Sequence, residues 1–174
     1  MQFTYAYHNP DYVRHVQGDG VFAEGWAFYG EEMLMREGLY DDDPGARLQV
    51  LHLMRHRATR VGVDVGLAPG EMTLPAAIAY FQKNADIDNV TASGEATRFA
   101  MGPGQAIDYL IGKTQIEMLL AMVQDRDGSA FTQRAFHDQL LSYGTVPYST
   151  IRYEWLGDDT WLRPALQPLA PREF

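Results

Sequence analysis

Phe22-Ala-Glu-Gly-Trp-Ala-Phe-Tyr29 decides how the chain is read. It is apolar and aromatic almost throughout, broken only by Glu24 and Gly25. It lacks the strict polar–apolar alternation of a half-buried strand. Asp19 ahead of it can cap a helix, and Gly38 behind it can end one. The spacing therefore predicts one long helix over about residues 20–38. A carboxylate among aromatic side chains is costly to bury without a partner, so Glu24 needs a bound cation, a histidine network or an arginine.

The same three-to-four spacing of apolar residues continues outward in both directions. Pro10 opens a short helix through Gln17. Asp43-Pro44 is a cap followed by a first-turn proline and predicts a helix over about 44–66. Pro69-Gly70 breaks the chain, and Thr73 with Pro75 opens the next helix, to about Asn84. Residues 85–93 read as a polar loop. Helices follow over about 93–101 and 104–125, separated by Gly102-Pro103-Gly104. Ser129 is placed as the cap of a helix to Tyr143, and a last helix spans about 147–156. The reading is all-α, with about six to eight helices in residues 1–156. Residues 157–174, which hold Pro164, Pro168 and Pro171, read as an irregular tail.

Composition narrows the function classes. The chain has 174 residues, enough for a real core, and 46% of them are hydrophobic. Lys and Arg number 14 against 23 Asp and Glu, a formal net charge of −9. That balance argues against nucleic acid as a partner, since phosphate binding needs a basic footprint. With no cysteine, thiolate metal sites, disulfides and Cys nucleophiles are excluded. No apolar run approaches the ~18 residues of a membrane span, and Met1-Gln-Phe-Thr-Tyr5 lacks the basic and apolar regions of a signal peptide. The chain reads as cytoplasmic.

Several groups of residues could carry chemistry. His52 and His56 are four apart and share a helix face, a spacing that can hold a divalent metal; Arg55, Arg57 and Arg60 around them oppose a cation. Arg57, Arg60 and Asp64 sit at three- and four-residue spacing and predict an intrahelical ion-pair ladder or a substrate-binding face. Glu95-Ala-Thr-Arg98, Gly102-Pro-Gly-Gln105 and Tyr109 form a third group. Gln105 and Tyr109 lie on one face, and a tyrosine hydroxyl can stabilise a developing oxyanion. Phe136-His137-Asp138 sets a histidine beside a carboxylate, although sequence neighbours on a helix point apart. No nucleophile elbow, P-loop or dinucleotide fingerprint is present.

Taken in order, Glu24-Gly-Trp-Ala-Phe-Tyr29, Arg57-Ala-Thr-Arg-Val-Gly-Val-Asp-Val-Gly-Leu67, Glu95-Ala-Thr-Arg-Phe99, Pro103-Gly-Gln-Ala106 with Tyr109 and Gly112, and Phe136-His-Asp138 resemble the bacterial domain-of-unknown-function family 885 over about residues 1–155. That family is zinc-peptidase-like and helical. In it, an H-E-x-x-P-G-H-x-x-Q segment precedes the E-G-W-A stretch, like the first half of a gluzincin site. The resemblance implies Glu24 as the third zinc ligand and Tyr109 for transition-state stabilisation. It implies Arg98 and His137 for substrate contact.

This chain has no H-E-x-x-H, and Ala68 stands where the family often has histidine. Met1-Gln2-Phe3 resembles the residues just after the second histidine of the family motif. The expectation is therefore the C-terminal portion of a larger helical metallopeptidase-like fold. It would be without peptidase activity or zinc of its own, and would associate with itself or with a complementing N-terminal segment. Two alternatives stay open. One is an autonomous metal hydrolase rebuilt from Glu24, His52 and His56. The other is a non-catalytic assembly or binding module that holds a peptide or small acidic ligand near Arg98, Gln105 and Tyr109.

Overall fold

Side-chain caps start five of the described helices. Asp11, Asp43, Thr73, Asp88 and Thr132 each accept a hydrogen bond from a backbone N–H in the first turn of the next helix. The computed structural model describes residues 2–167. Its helices are Gln2–Tyr7 (α1), Tyr12–Val16 (α2), Gly20–Arg36 (α3), Pro44–Leu67 (α4), Leu74–Ala85 (α5), Asn89–Met101 (α6), Gln105–Asp127 (α7), Gln133–Ser142 (α8), Tyr148–Leu156 (α9) and Arg163–Leu166 (α10). No strand occurs among the described residues, so the fold is all-α.

Four details differ from the sequence reading. The short α1 and α10 were not expected. α6 begins at Asn89 because Asp88 caps it, inside the stretch read as a loop. Ser129 lies in a 3-10 turn, Gly128–Ala130, and Thr132 caps α8 instead. Within the supposed tail, the Arg152 guanidinium lies 4.3 Å from the Trp161 ring centre and its Nη2 donates to Asp158 at 2.5 Å, which holds residues 158–161 in place. Pro168 and Pro171 lie outside the described residues.

The helices sort into two compact units. One is Gly20–Ile116; the other combines the described parts of residues 1–19 and 117–174.

In the Gly20–Ile116 unit, α4, α5 and α6 pack on one another and α3 packs on α4. Their core is Val63, Ala77, Phe81, Ala85, Ala92, Ala96, Phe99 and Ala106, each fully buried. Alanines on α5 and α6 let those helices come close, and the Phe81 and Phe99 rings fill the centre with centroids 6.3 Å apart. Asp86 links α5 to α6 at φ 57°, a left-handed turn that Asp tolerates better than most residues.

Within this unit α3 and α7 meet backbone to backbone. A Cβ on Gly25 would stand 2.4 Å from Gly112 Cα, and one on Gly112 would stand 2.0 Å from Val21 O. Neither glycine has room for even a methyl group.

In the other unit, Phe136, Leu140, Leu141, Tyr148 and Ile151 are buried, and the Phe136 and Trp155 rings stack with centroids 5.3 Å apart. The N-terminal stretch is sewn to α8 and α9 by polar bonds. Asn9 Nδ2 donates to Ser142 O at 2.9 Å, and Arg14 Nη1 donates to Tyr143 O at 2.9 Å. Arg14 Nη2 donates to Glu154 at 2.5 Å, and Thr145 Oγ1 donates to Gln17 O at 2.7 Å.

Gly25→Ala and Gly112→Ala are each expected to destabilise the protein by roughly 2–3 kcal/mol or more, because backbone cannot yield to the new methyl group. Gly30→Ala, on the same α3 with open space around its Cα, is expected to be neutral or to stabilise by up to ~1 kcal/mol. Urea midpoints of the three variants check this contrast.

Candidate functional site

The α3–α7 glycine contact places Glu24 beside Tyr109. Glu24 adjoins Gly25, and Tyr109 sits about one turn before Gly112 on α7. The Tyr109 hydroxyl bonds the Glu24 carboxylate. Burial first, then this bond and the charge of Glu24, push the phenol above its ordinary pKa, with Arg60 and Arg98 opposing. The hydroxyl therefore stays protonated at neutral pH and donates to Glu24.

Two guanidinium groups from α4 face the Tyr109 ring. Arg57 Cζ lies 5.7 Å from its centroid and Arg60 Cζ 6.0 Å. Arg57 is clamped by Glu31 of α3, with Nη1 at 2.5 Å and Nη2 at 2.8 Å, a two-pronged carboxylate bond. Arg60 donates through Nε to Glu95 Oε2 of α6 at 2.5 Å. Arg98, one turn along α6, reaches the other Glu95 oxygen only at 3.9 Å. Lys113 of α7 pairs with Glu32 at 2.9 Å, and Arg36 pairs with Glu32 too.

The expected ladder of Arg57, Arg60 and Asp64 along α4 does not form. Each residue instead looks to a different element. Asp64, with 1% of its surface exposed, accepts from Gly104 N and Ala106 N, both at 2.8 Å. A carboxylate on the first amides of α7 satisfies otherwise unbonded N–H groups and suits the positive end of the helix. So Asp64 fixes the Gly102-Pro103-Gly104 turn from which Gln105 and Tyr109 emerge. Gln105 itself is exposed at the start of α7.

His56 is buried, edge-on to Phe81 at 5.9 Å. Its Nε2 lies 3.4 Å from Glu95 Oε2 without a hydrogen bond. Burial, then Arg60, depress its pKa against the pull of Glu95; His52 and Arg57 add to the depression. His56 is thus neutral at neutral pH. His137 belongs to the other unit, on α8, edge-on to Phe136 at 5.6 Å, with its pKa also lowered by burial.

The sequence reading missed Glu31, the partner of Arg57, and Glu32. Glu31 stands seven residues after Glu24, two helical turns along the same face, a spacing that could have exposed it.

For zinc, the donor set is incomplete. Among the described residues no three His, Asp or Glu side chains converge, and Glu24, His52 and His56 are not gathered into one group. His56 faces Glu95 and Arg60 rather than Glu24. The described residues do not make up a zinc site by themselves. Among the described residues, Glu24 also forms no ion pair, although Glu31, Glu32 and Glu95 each do.

The model of a bacterial family of proteins of unknown function, DUF885, matches residues 1–154. The chain belongs to DUF885. Two solved structures share the fold. One is a candidate lipoprotein from Colwellia psychrerythraea, with TM-score 0.78 and 31% identity over 84% of this chain. The other is a candidate lipoprotein of unknown function from Shewanella oneidensis, with TM-score 0.80 and 29% identity over 89% of this chain. This DUF885 chain spans 26% and 28% of the lengths of those two proteins. No curated protein matches it. No described helix is long and apolar enough to cross a membrane.

Asp64→Ala is expected to cost about 2–4 kcal/mol, since it leaves two amide groups at the head of α7 without an acceptor; chemical denaturation measures it. Stability is also expected to fall as pH drops from about 7 toward 5. His56 and His137 have folded pKa values below the ordinary 6.5, so in that range the unfolded chain binds protons that the folded chain does not. His56→Gln and His137→Gln should each flatten this slope in urea titrations at successive pH values.

Proposed function

We propose that this DUF885 chain carries the substrate-facing part of a metallopeptidase-like centre and does not hydrolyse peptides by itself. The observation that supports this most is the state of Glu24. It is a half-buried carboxylate whose hydrogen-bond partner is a neutral phenol, within a group of acids otherwise paired with cations. A carboxylate with no cationic partner among the described residues is a natural place for a cation to bind. Tyr109, held neutral beside it, keeps a proton to donate toward developing negative charge. Glu24 is also the residue that the likeness to zinc peptidases singles out.

Because the described residues lack a complete ligand set, no catalytic step is assigned to a metal. The autonomous hydrolase built on His52 and His56 is the weaker reading, since His56 is committed to the Glu95 side. A non-catalytic ligand-binding module is the second reading, favoured by the exposed Arg98 beside Tyr109. Association with a second copy or a complementing segment belongs to the proposal too. Phe3, Tyr12, Val13, Leu48 and Val65 are apolar and exposed.

The test combines metal content and turnover. Chain purified without chelator or metal-affinity tag is expected to hold well under one zinc per molecule and to leave fluorogenic peptides uncut. One zinc per chain together with hydrolysis, both lost in Glu24→Ala, would overturn the proposal.

A further inference from the structure

Arg60 and Arg98 share one carboxylate, Glu95, and neither is used up by it. Arg60 spends only Nε on Glu95, at 2.5 Å. Its two terminal nitrogens donate no hydrogen bond to any described residue, and its side chain keeps 16% of its surface exposed. Arg98 reaches Glu95 only at 3.9 Å, makes no hydrogen bond to a described residue, and leaves 45% of its side chain exposed. His56, the other neighbour of Glu95, is neutral at neutral pH. Two guanidinium groups share the Glu95 carboxylate, while Glu24, the other acid near them, bonds the Tyr109 hydroxyl. Both guanidinium groups stand close enough to Tyr109 to bias its titration.

On the same helix Arg57 differs at its outer end, although its buried Nε has no hydrogen-bond partner. Glu31 takes both of its terminal nitrogens. By contrast, the outer ends of Arg60 and Arg98 have donors in the planar fork that matches a carboxylate. Glu95 fixes the inner edge of the Arg60 guanidinium, so less freedom is lost when a ligand arrives. The Tyr109 ring backs Arg60, and the Phe99 ring lies 5.0 Å from Arg98 Cζ.

We infer that Arg60 and Arg98 form a carboxylate-binding fork, and that its ligand is the free C-terminal carboxylate of a short peptide lying against Tyr109. The peptide part of this inference rests on the reading given under Proposed function; the fork itself does not. An enzyme built on it would act near the C-terminus of its substrates rather than inside long chains. Gln105 is exposed one turn before Tyr109 on α7.

The test is binding by the whole chain, with no turnover needed. The probes are Ala-Ala with a free carboxylate, Ala-Ala amide, and inorganic phosphate, followed by calorimetry and by the arginine Nε–H signals in NMR. The free acid is expected to bind about tenfold or more tightly than the amide, because the amide cannot form charge-assisted bonds to the fork. It should move the Arg60 and Arg98 signals while Arg57 stays put. Arg98→Gln should remove most of that preference, and Arg60→Lys, which keeps the charge, should weaken it. Arg134→Gln, an exposed arginine of α8, should leave it unchanged.

Equal binding of acid and amide, no binding of the acid by folded protein, or phosphate binding with no preference for the peptide acid would each overturn the inference. These outcomes are read apart from the metal and hydrolysis assay, so either proposal can fail without the other.

Discussion

Everything around Tyr109 depends on one contact, the meeting of Gly25 and Gly112. Two helices that touch through ordinary side chains lie 8–10 Å apart at their axes. Here the backbones themselves touch, with no space for a Cβ on either side. That closeness lets a short carboxylate on α3 reach a phenol on α7. It also lets Glu32, two turns along α3, reach Lys113, which follows Gly112 directly. Adding one methyl group would move Glu24 away from Tyr109 and loosen several bonds at once.

Around this contact the charges form an orderly set rather than a loose patch. α4 contributes the cations Arg57 and Arg60, and α3 and α6 contribute the acids that hold them. Such pairs are half-buried, so each is worth more than a surface ion pair but also costs desolvation. Their value lies in orientation: Glu31 and Glu95 hold two guanidinium groups against one aromatic ring. Asp64 does the same for the backbone, fixing where α7 starts.

Much of the helix pattern was legible because caps are local. Asp43 and Thr73 announce α4 and α5 within a few residues of sequence. Asp88 was harder to read, because Asp86, Asp88 and Asn89 are all turn formers and resemble a loop. Ser129 and Thr132 are both capping types, and only the three-dimensional path decides for Thr132. The site was legible in its parts but not in its pairings. Glu24, Arg60, Glu95, Arg98 and Tyr109 stood out, yet spacing along α4 suggested that Arg57, Arg60 and Asp64 bond each other. Partners on other helices win because those carboxylates and amides have fewer alternatives, and no periodicity within one helix reveals that. His137 is grouped with the site by the resemblance alone; it belongs to the unit that holds α8.

The overall charge sharpens what the fork must do. At a formal −9, the chain as a whole repels anions, and long-range attraction cannot bring a carboxylate to it. At physiological salt, charges more than about 8 Å apart are largely screened in any case. Recognition of an anionic end must then be made at contact, by donors already in place. Arg60, braced by Glu95 and backed by Tyr109, meets that requirement; a flexible lysine at the same position would spend more entropy for the same charge. The arrangement favours discrimination over capture. Its advantage lies in telling a free carboxylate from an amide, and not in the speed at which either one arrives.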